Sequence, residues 1–439
     1  MKPHRFVQRI ESATFAEARG HVRSVAAGLI RASGPSGAPG SLCAVHTGAD
    51  RRLICEVVAV DESGIALMPL EPVRDVQPGA KVVLWSRANR IAVGEGFAGR
   101  AVNALGNPLD DAGPISGEAE APIAGDVPNP LERSGTPTPL PTGLRAIDAL
   151  LPLSIGQRVG IFAASGVGKT SLVEQLASQV RADRCVLCLV GERGREVEAL
   201  ARFMRDRPDR ARFTIVSATS DESAALRARA TDYALSLAEH WRARGEHVLL
   251  IVDSVTRYAM ALREVGLAAG APPTVRAYTP NVFAALPRLV ERCGALKNGG
   301  AITAIMTVLS ETDDVDDPIV ELMKSLLDGH IILSRALAEQ GHYPAIDITR
   351  SISRGADRLV GRDHGAQMRR AIALLATYEE ARIMIESGVY KSGSNPAVDD
   401  AIKLREPLLS FLRQQRGEAT SPEDIGRKLA AVIGKAAHA

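Results

Sequence analysis

Gln157-Arg-Val-Gly-Ile-Phe-Ala-Ala-Ser-Gly-Val-Gly-Lys-Thr170 runs from a short apolar segment into a glycine-bearing loop and closes on a lysine and a threonine. A strand, a tight loop and the start of a helix, in that order, aim several backbone N–H groups and the positive end of a helix dipole into one small volume. That volume suits a polyphosphate. Ser165, Gly166, Val167, Gly168, Lys169, Thr170 and Ser171 are therefore the candidate nucleotide-binding residues. Lys169 is placed to neutralise the β and γ phosphates, and the Thr170 hydroxyl to hold Mg²⁺. The strict form of such a loop has glycine where this chain has Ala163, and Ala164 follows it. Alanine is tolerable where φ stays negative, so Gly166 and Gly168 are expected where the backbone takes unusual angles and a Cβ would clash. A chance match in a surface turn would lack the flanking strand and helix patterns, and both are present.

The chain has 439 residues, enough for about three domains. With 53 basic and 51 acidic side chains the net charge is +2, so no global field recruits nucleic acid or an anionic membrane. Five cysteines make no disulfide framework, and their sparse, odd count suits a reducing cytoplasm. Cys185-Val-Leu-Cys188 has redox or zinc spacing, yet it lies in an apolar run that reads as a strand, where residues three apart face opposite ways. No window approaches the roughly 18 continuous apolar residues of a spanning helix, and the N-terminus lacks a hydrophobic signal core. A cytosolic protein is expected, with room for docking at a membrane.

Residues 1–25 mix charge with Phe6, Ile10, Phe15 and Ala18 at a weakly helical spacing, which reads as a partner-binding arm or a frayed terminus. Over 26–90 short apolar stretches such as Leu53–Val60, Gly64–Met68 and Lys81–Trp85 alternate with Gly, Pro and Asp turns, the pattern of a small β-barrel. A Pro- and Gly-rich stretch from Gly106 to Pro141 links it onward. Residues 91–361 are this entry linker and a core in which, from about Pro141, apolar strands alternate with amphipathic helices, which argues for an α/β core on a mainly parallel sheet. The expected strands are Val159–Ala163, Val186–Val190, Phe213–Val216, Val248–Asp253, Ile302–Leu309 and Ile331–Ser334. Leu226, Ala230, Tyr233, Leu237 and Trp241 recur on one helix face and read as core. Residues 362–439 read as a C-terminal helical domain, with helices over Met368–Ser387 and Ala397–Gln415.

Two acids complete a candidate site. Val248-Leu-Leu-Ile-Val-Asp253 is an apolar strand ending in a carboxylate, and ligands bind at the carboxyl ends of parallel strands. Asp253 is thus a candidate to order water around Mg²⁺. Gly191-Glu-Arg-Gly-Arg-Glu196 directly follows another strand, where Glu192 can orient a water in line with the γ phosphate; its bland role is a surface carboxylate paired with Arg193 or Arg195.

The barrel, the phosphate loop, Gly191–Glu196, Asp253-Ser-Val-Thr-Arg-Tyr-Ala259, Leu286-Pro-Arg-Leu-Val-Glu-Arg292, Leu327-Asp-Gly-His-Ile-Ile-Leu-Ser-Arg335, Tyr343-Pro-Ala-Ile-Asp347 and Ser351-Ile-Ser-Arg354 together resemble the type III secretion ATPases. Within them the chain looks most like the flagellar export ATPase, inside the superfamily of rotary ATP synthase catalytic subunits. The resemblance covers nearly the whole chain from about residue 25. It implies a RecA-like P-loop core between an N-terminal barrel and C-terminal helices, and an ATP- and Mg²⁺-dependent hydrolase. Lys169, Glu192, Arg193 and Arg354 are then the catalytic set, with Glu192 polarising water and Arg354 an arginine finger reaching into a neighbour's site. Tyr343 matches the aromatic that stacks on adenine, and Thr170 and Asp253 serve the metal. The implied assembly is a homohexamer at the cytoplasmic face of an inner-membrane export apparatus. Its implied partners are a stator-like regulatory protein at the arm, export-gate membrane proteins, chaperone–substrate complexes and a coiled-coil stalk in the pore touching Asp313, Asp314 and Asp317.

The acidic run Glu311–Pro318 lacks the glycine and spacing of an EF-hand, so calcium is disfavoured. Relatives usually carry Arg-Gly-Tyr-Pro-Pro where this chain has Arg276-Ala-Tyr-Thr-Pro280, and glycine at Ala164. A virulence-type ATPase is the nearest rival; Ala66–Glu71 and Gly388–Ser394 lean toward the flagellar branch. Gly194 after Glu192-Arg193 disfavours a synthase subunit. An RNA-translocating hexamer would need stacking aromatics, and the first 90 residues hold only Phe6, Phe15 and Trp85 as Phe or Trp. Glu192 argues against a non-hydrolysing scaffold.

Overall fold

The structure, a computed structural model, describes residues 18–434 apart from 27, 49–50, 87–89 and 311–316. Residues 1–17 of the expected arm, and Asp313 and Asp314, lie outside the described residues.

Six strands close a barrel: β1 (Arg19–Ala26), β2 (Leu29–Ala32), β3 (Leu42–Thr47), β4 (Arg51–Asp61), β5 (Gly64–Pro69) and β6 (Lys81–Ser86), in the order β1-β2-β5-β4-β3-β6. Alternation drives it: along β4, Leu53, Cys55 and Val57 turn inward while Ile54 and Glu56 face out. Closure leaves no unpaired edge. The barrel begins at Arg19, so residues 19–25, read from sequence as part of an arm, are barrel strand. Trp85 stays 55% exposed beneath the Arg52 guanidinium, 5.8 Å from its ring.

Residues 90–154 contribute β7 (Arg90–Val93), β8 (Ala101–Asn103), β9 (Ala119–Pro122), β10 (Pro139–Leu140) and β11 (Leu153–Ser154), of which β7/β9 and β10/β11 form ribbons. The core adds β12 (Arg158–Ala163), β13 (Arg184–Val190), β14 (Phe213–Ala218), β15 (His247–Asp253), β16 (Gly294–Ala295), β17 (Ala301–Leu309), β18 (Gly329–Leu333) and β19 (Ile346–Ser353). Its sheet runs β19-β18-β12-β17-β15-β13-β14-β8, with β16 paired to β17. All main-path pairs are parallel except β18/β19. Each strand expected from sequence is present; β8, a three-residue edge strand, and β19 were not expected.

Both faces of the sheet are covered, which is why its strands read as continuous apolar runs. Helices Ala224–Ala243, Val255–Ala268 and Pro280–Arg292 pack on one face. The phosphate-loop helix Lys169–Gln179 and helices Arg362–Glu386, Pro396–Leu412 and Pro422–Gly434 share the other. Cys185 and Cys188 fall in the two different cores, as strand geometry requires. The stripe Leu226, Ala230, Tyr233, Leu237, Trp241 is buried throughout; burying side chains of the Leu or Phe class contributes about 1.5–3 kcal/mol each. Helix Pro396–Leu412 stops three residues short of the expected Gln415, and the chain from Arg413 forms a loop against the nucleotide core.

Glu56 of the barrel faces the helix Ala224–Ala243, its carboxylate 4.0 Å from the Arg229 guanidinium. Burial pushes the Glu56 carboxyl up to about 7 and that of Asp232, one turn along the same helix, up to about 6.

Candidate functional site

The phosphate loop leaves β12 at Ala163 and enters the helix Lys169–Gln179. Gly166 (φ +81°) and Gly168 (φ +94°) are left-handed, and the two alanines are not among the residues with positive φ. A methyl group at Gly166 would meet no atom within 4 Å, so the expected clash there is corrected: glycine is needed for its angle and not for space. At Gly168 the angle is again the reason, and a Cβ there would also sit a tight 3.3 Å from the edge of the Tyr343 ring. Gly168 is also the N-cap and carries no side chain, so the free N–H groups of the first turn face the loop.

Parallel pairing sets the acids beside this loop. In the order β12-β17-β15-β13, Asp253 ends β15 and Glu192 follows β13, so both stand at the carboxyl edge from which the loop springs. The Lys169 ammonium is ion-paired with Asp253 and lies 3.5 Å from Glu192 Oε1. Arg257 Nε donates to Glu192 Oε1 at 3.3 Å, and Thr307 Oγ1 donates to Asp253 Oδ1 at 2.6 Å. Both carboxylates are buried. Burial raises the Glu192 carboxyl above its ordinary value; Lys169 and Arg257 pull it down and Asp253 pushes it up. Sequence reading missed Arg257 and Thr307 as site residues. Arg257 lay inside a quoted motif, whereas nothing marked Thr307 among the apolar residues of β17.

Tyr343 is 45% exposed and flanks a cavity of about 660 Å³. Its floor is Gly168, Ser171, Leu172 and Gln175 of the phosphate loop and helix, and its far wall is the loop from Arg413 to Glu418. Thr170, at the second position of the helix, and Ser165 are exposed toward solvent at the loop. Arg193 is the exposed N-cap residue of the helix Gly194–Arg205; its carbonyl accepts from Glu196 and Val197.

Arg354 stands apart. β19 runs antiparallel to β18, with Ile346 opposite Leu333 and Ser353 opposite Gly329, while β18 runs parallel to β12. Arg354 therefore lies level with the start of β12, and its N–H donates to the Asp328 carbonyl at 2.9 Å. The five steps from Arg158 to Ala163 put it about 16 Å below its own phosphate loop. Exposed there, its guanidinium donates to the Lys324 carbonyl, at 3.4 Å. Asp317 is likewise used locally: its Oδ1 accepts from Ile319 and Val320 N–H and caps the helix Pro318–Leu326.

The segment Arg276–Pro280 has a physical mark of its own. Arg276 and Ala277 take φ of +51° and +59°, and Thr279 is fully buried with no partner for its hydroxyl among the described residues. Left-handed backbone is natural for glycine and costly for alanine.

With this geometry established, comparison with known proteins assigns the class. Residues 143–353 match the ATP synthase alpha/beta family nucleotide-binding domain, and residues 360–431 match the T3SS EscN ATPase C-terminal domain. The chain belongs to this family, in the branch of flagellar and type III secretion ATPases, and it is an ATP-hydrolysing enzyme. It is 39% identical over 438 residues to the flagellum-specific ATP synthase of Bacillus subtilis, covering 99% of each chain. To the type 3 secretion system ATPase of Pseudomonas syringae pv. syringae it is 42% identical over 405 residues, 91% of this chain and 90% of that one. The assembled ATPase EscN of enteropathogenic E. coli superposes with a TM-score of 0.89 at 38% identity, covering 94% of this chain and all of the other. EscN in complex with its central stalk EscO gives 0.86 at 37% over the same share.

Proposed function

We propose that this ATPase is the hexameric motor of a type III protein export apparatus, of the flagellar kind, completing each catalytic site between two subunits. The observation that carries the reading is the opposition of poles in one sheet. Lys169, Glu192 and Asp253 gather at one end, while Arg354 projects from the other. A finger so placed serves a neighbour's nucleotide and not its own, which calls for a ring.

In the proposed mechanism the loop N–H groups and Lys169 bind the β and γ phosphates, and Tyr343 stacks on the base. Glu192, its carboxyl raised by burial, accepts the proton of the attacking water. Arg193 sits beside it at the head of the helix. The donors present fit Mg²⁺, since Thr170 and Asp253 offer hard oxygens beside the phosphate loop. Among the described residues no group of three or more His, Cys, Asp or Glu could hold an ion, so Thr170 and Asp253 are the side chains that would hold it. The ion would offset charge developing on the γ phosphate.

The flagellar assignment rests on Ala66–Glu71 and Gly388–Ser394. The EscN–EscO complex supports a central stalk as a partner. Asp313, Asp314 and Asp317 are the acids proposed to touch it, Asp317 also capping the helix Pro318–Leu326 through Oδ1. The stator-like protein, export gate and chaperone–substrate complexes complete the proposed partners, with the ring docked on the membrane from the cytoplasm. No described helix is long and apolar enough to cross a membrane. Steady-state ATPase per subunit, measured against protein concentration, tests the reading: it should rise steeply as rings assemble, and a flat response would refute it.

A further inference from the structure

One residue of the C-terminal domain is tied into the nucleotide core on every side. Gln414 is 3% exposed, and its whole amide is engaged. Its Oε1 accepts from the Arg145 N–H at 2.8 Å; its Nε2 donates to the Gly143 carbonyl at 2.8 Å and to the Glu418 carbonyl at 2.7 Å. Its own backbone N–H donates to the Tyr343 carbonyl at 2.8 Å. The same loop is tied to the phosphate-loop helix, where Gln179 Nε2 donates to the Glu418 carbonyl at 2.9 Å and Gln175 Nε2 to the Gln415 carbonyl at 3.4 Å.

The Tyr343 ring, by contrast, is half-exposed and lies over Gly168. A stacking side chain in that position holds its height over the loop only as well as its backbone is held. The Gln414 N–H pins that backbone, and three bonds through a buried amide pin Gln414. An isosteric apolar side chain would strand the Arg145 N–H and take one of two donors from each of the Gly143 and Glu418 carbonyls, which keep Thr420 N–H and Gln179 Nε2, and the loop would move to satisfy the stranded donor.

We infer that Gln414 is a positioning residue for the nucleoside base, acting through Tyr343 to fix the width of the cavity between that ring and the phosphate-loop helix. This rests on the reading of the cavity as the nucleotide site. The affinity at stake is that of base stacking, about tenfold or somewhat more. The phosphates, held by the loop N–H groups and Lys169, do not depend on it.

Inorganic tripolyphosphate separates the two parts, since it carries the phosphates without a base. With the full-length chain, Gln414→Met should raise KM for ATP by about tenfold, with kcat little altered and inhibition by tripolyphosphate unchanged. Gln414→Asn, which keeps an amide one methylene too short to span the contacts, should do the same and serves if the methionine variant folds poorly. In a Tyr343→Ala background, Gln414→Met should add nothing. Equal weakening of ATP and tripolyphosphate would mark a general structural role and overturn the inference. So would unchanged KM in both Gln414 variants, or a full additional loss in the Tyr343→Ala background. Failure of the underlying reading looks different: Lys169→Ala would then retain tripolyphosphate binding whatever residue 414 is.

Discussion

Replacing Glu192 with glutamine changes one oxygen to an amide nitrogen in a group that is 7% exposed, so shape is kept and only charge and basicity are lost. The Lys169–Asp253 ion pair remains to hold the lysine, and Arg257, about one-third exposed, can turn to solvent. The fold should therefore lose little. Turnover should fall far more, because an amide cannot take a proton from water. Positioned proton transfer contributes about 10²–10⁴ in rate, or roughly 3–5 kcal/mol of barrier. Phosphate release and binding of a fluorescent ATP analogue on the same preparation read the two effects separately. The expected result is retained binding with kcat down at least a hundredfold. The wild-type profile adds a check of sign: burial raises the Glu192 carboxyl, so kcat should fall on acidification at a pH above the range of an ordinary glutamate. Turnover within a few-fold of wild type, or nucleotide binding lost together with turnover, would refute the assigned role.

Two inactive variants should rescue one another: Arg354→Ala keeps a phosphate loop and Lys169→Ala keeps a finger, so mixed rings regain activity at about a quarter of interfaces, while each alone is down on the order of a thousandfold. A mixture as dead as its parts would exclude a finger acting between subunits. Ala277→Gly should raise stability by about 0.5–1 kcal/mol, as relief of left-handed backbone outweighs the added freedom of the unfolded chain; the methyl is exposed, so denaturant midpoints should report this gain without lost packing. Glu56 and Asp232 have folded values raised to about 7 and about 6 from 4.5 and 3.8, so the stability they confer is complete below about pH 4 and is lost as pH rises through 6 to 7. Melting temperatures from pH 5 to 8 should fall more steeply for wild type than for Glu56→Gln, and parallel curves would remove Glu56 from the account.

The residues that spoke plainly in sequence were those whose local pattern and role coincide. Val248–Asp253 is a buried strand with a carboxylate at its tip, and both facts are written in six consecutive residues. The loop at Ala163–Thr170 is the same kind of feature, and only the reason for Gly166 had to be revised, because φ is a matter of backbone and clash a matter of neighbours. β8 and Thr307 were illegible for the opposite reason. A three-residue edge strand has no room to show alternation, and a threonine in an apolar run is an ordinary strand residue until a distant acid is folded against it. Arg413 to Gln415 were read as the end of a helix, since the tie of this loop to Gly143 and Tyr343 spans the length of the core. For Arg354 the family resemblance supplied a role, but the side of the sheet it occupies follows only from the antiparallel register of β19.

That register has an arithmetical consequence. If every subunit gives at one pole and receives at the other, an open row of n subunits holds n − 1 finished sites and always leaves one receiver unserved. Only the contact that closes the circle brings the two numbers into agreement. Activity per subunit would then gauge closure itself, and a seam opened anywhere in the circle would silence one site and spare the rest.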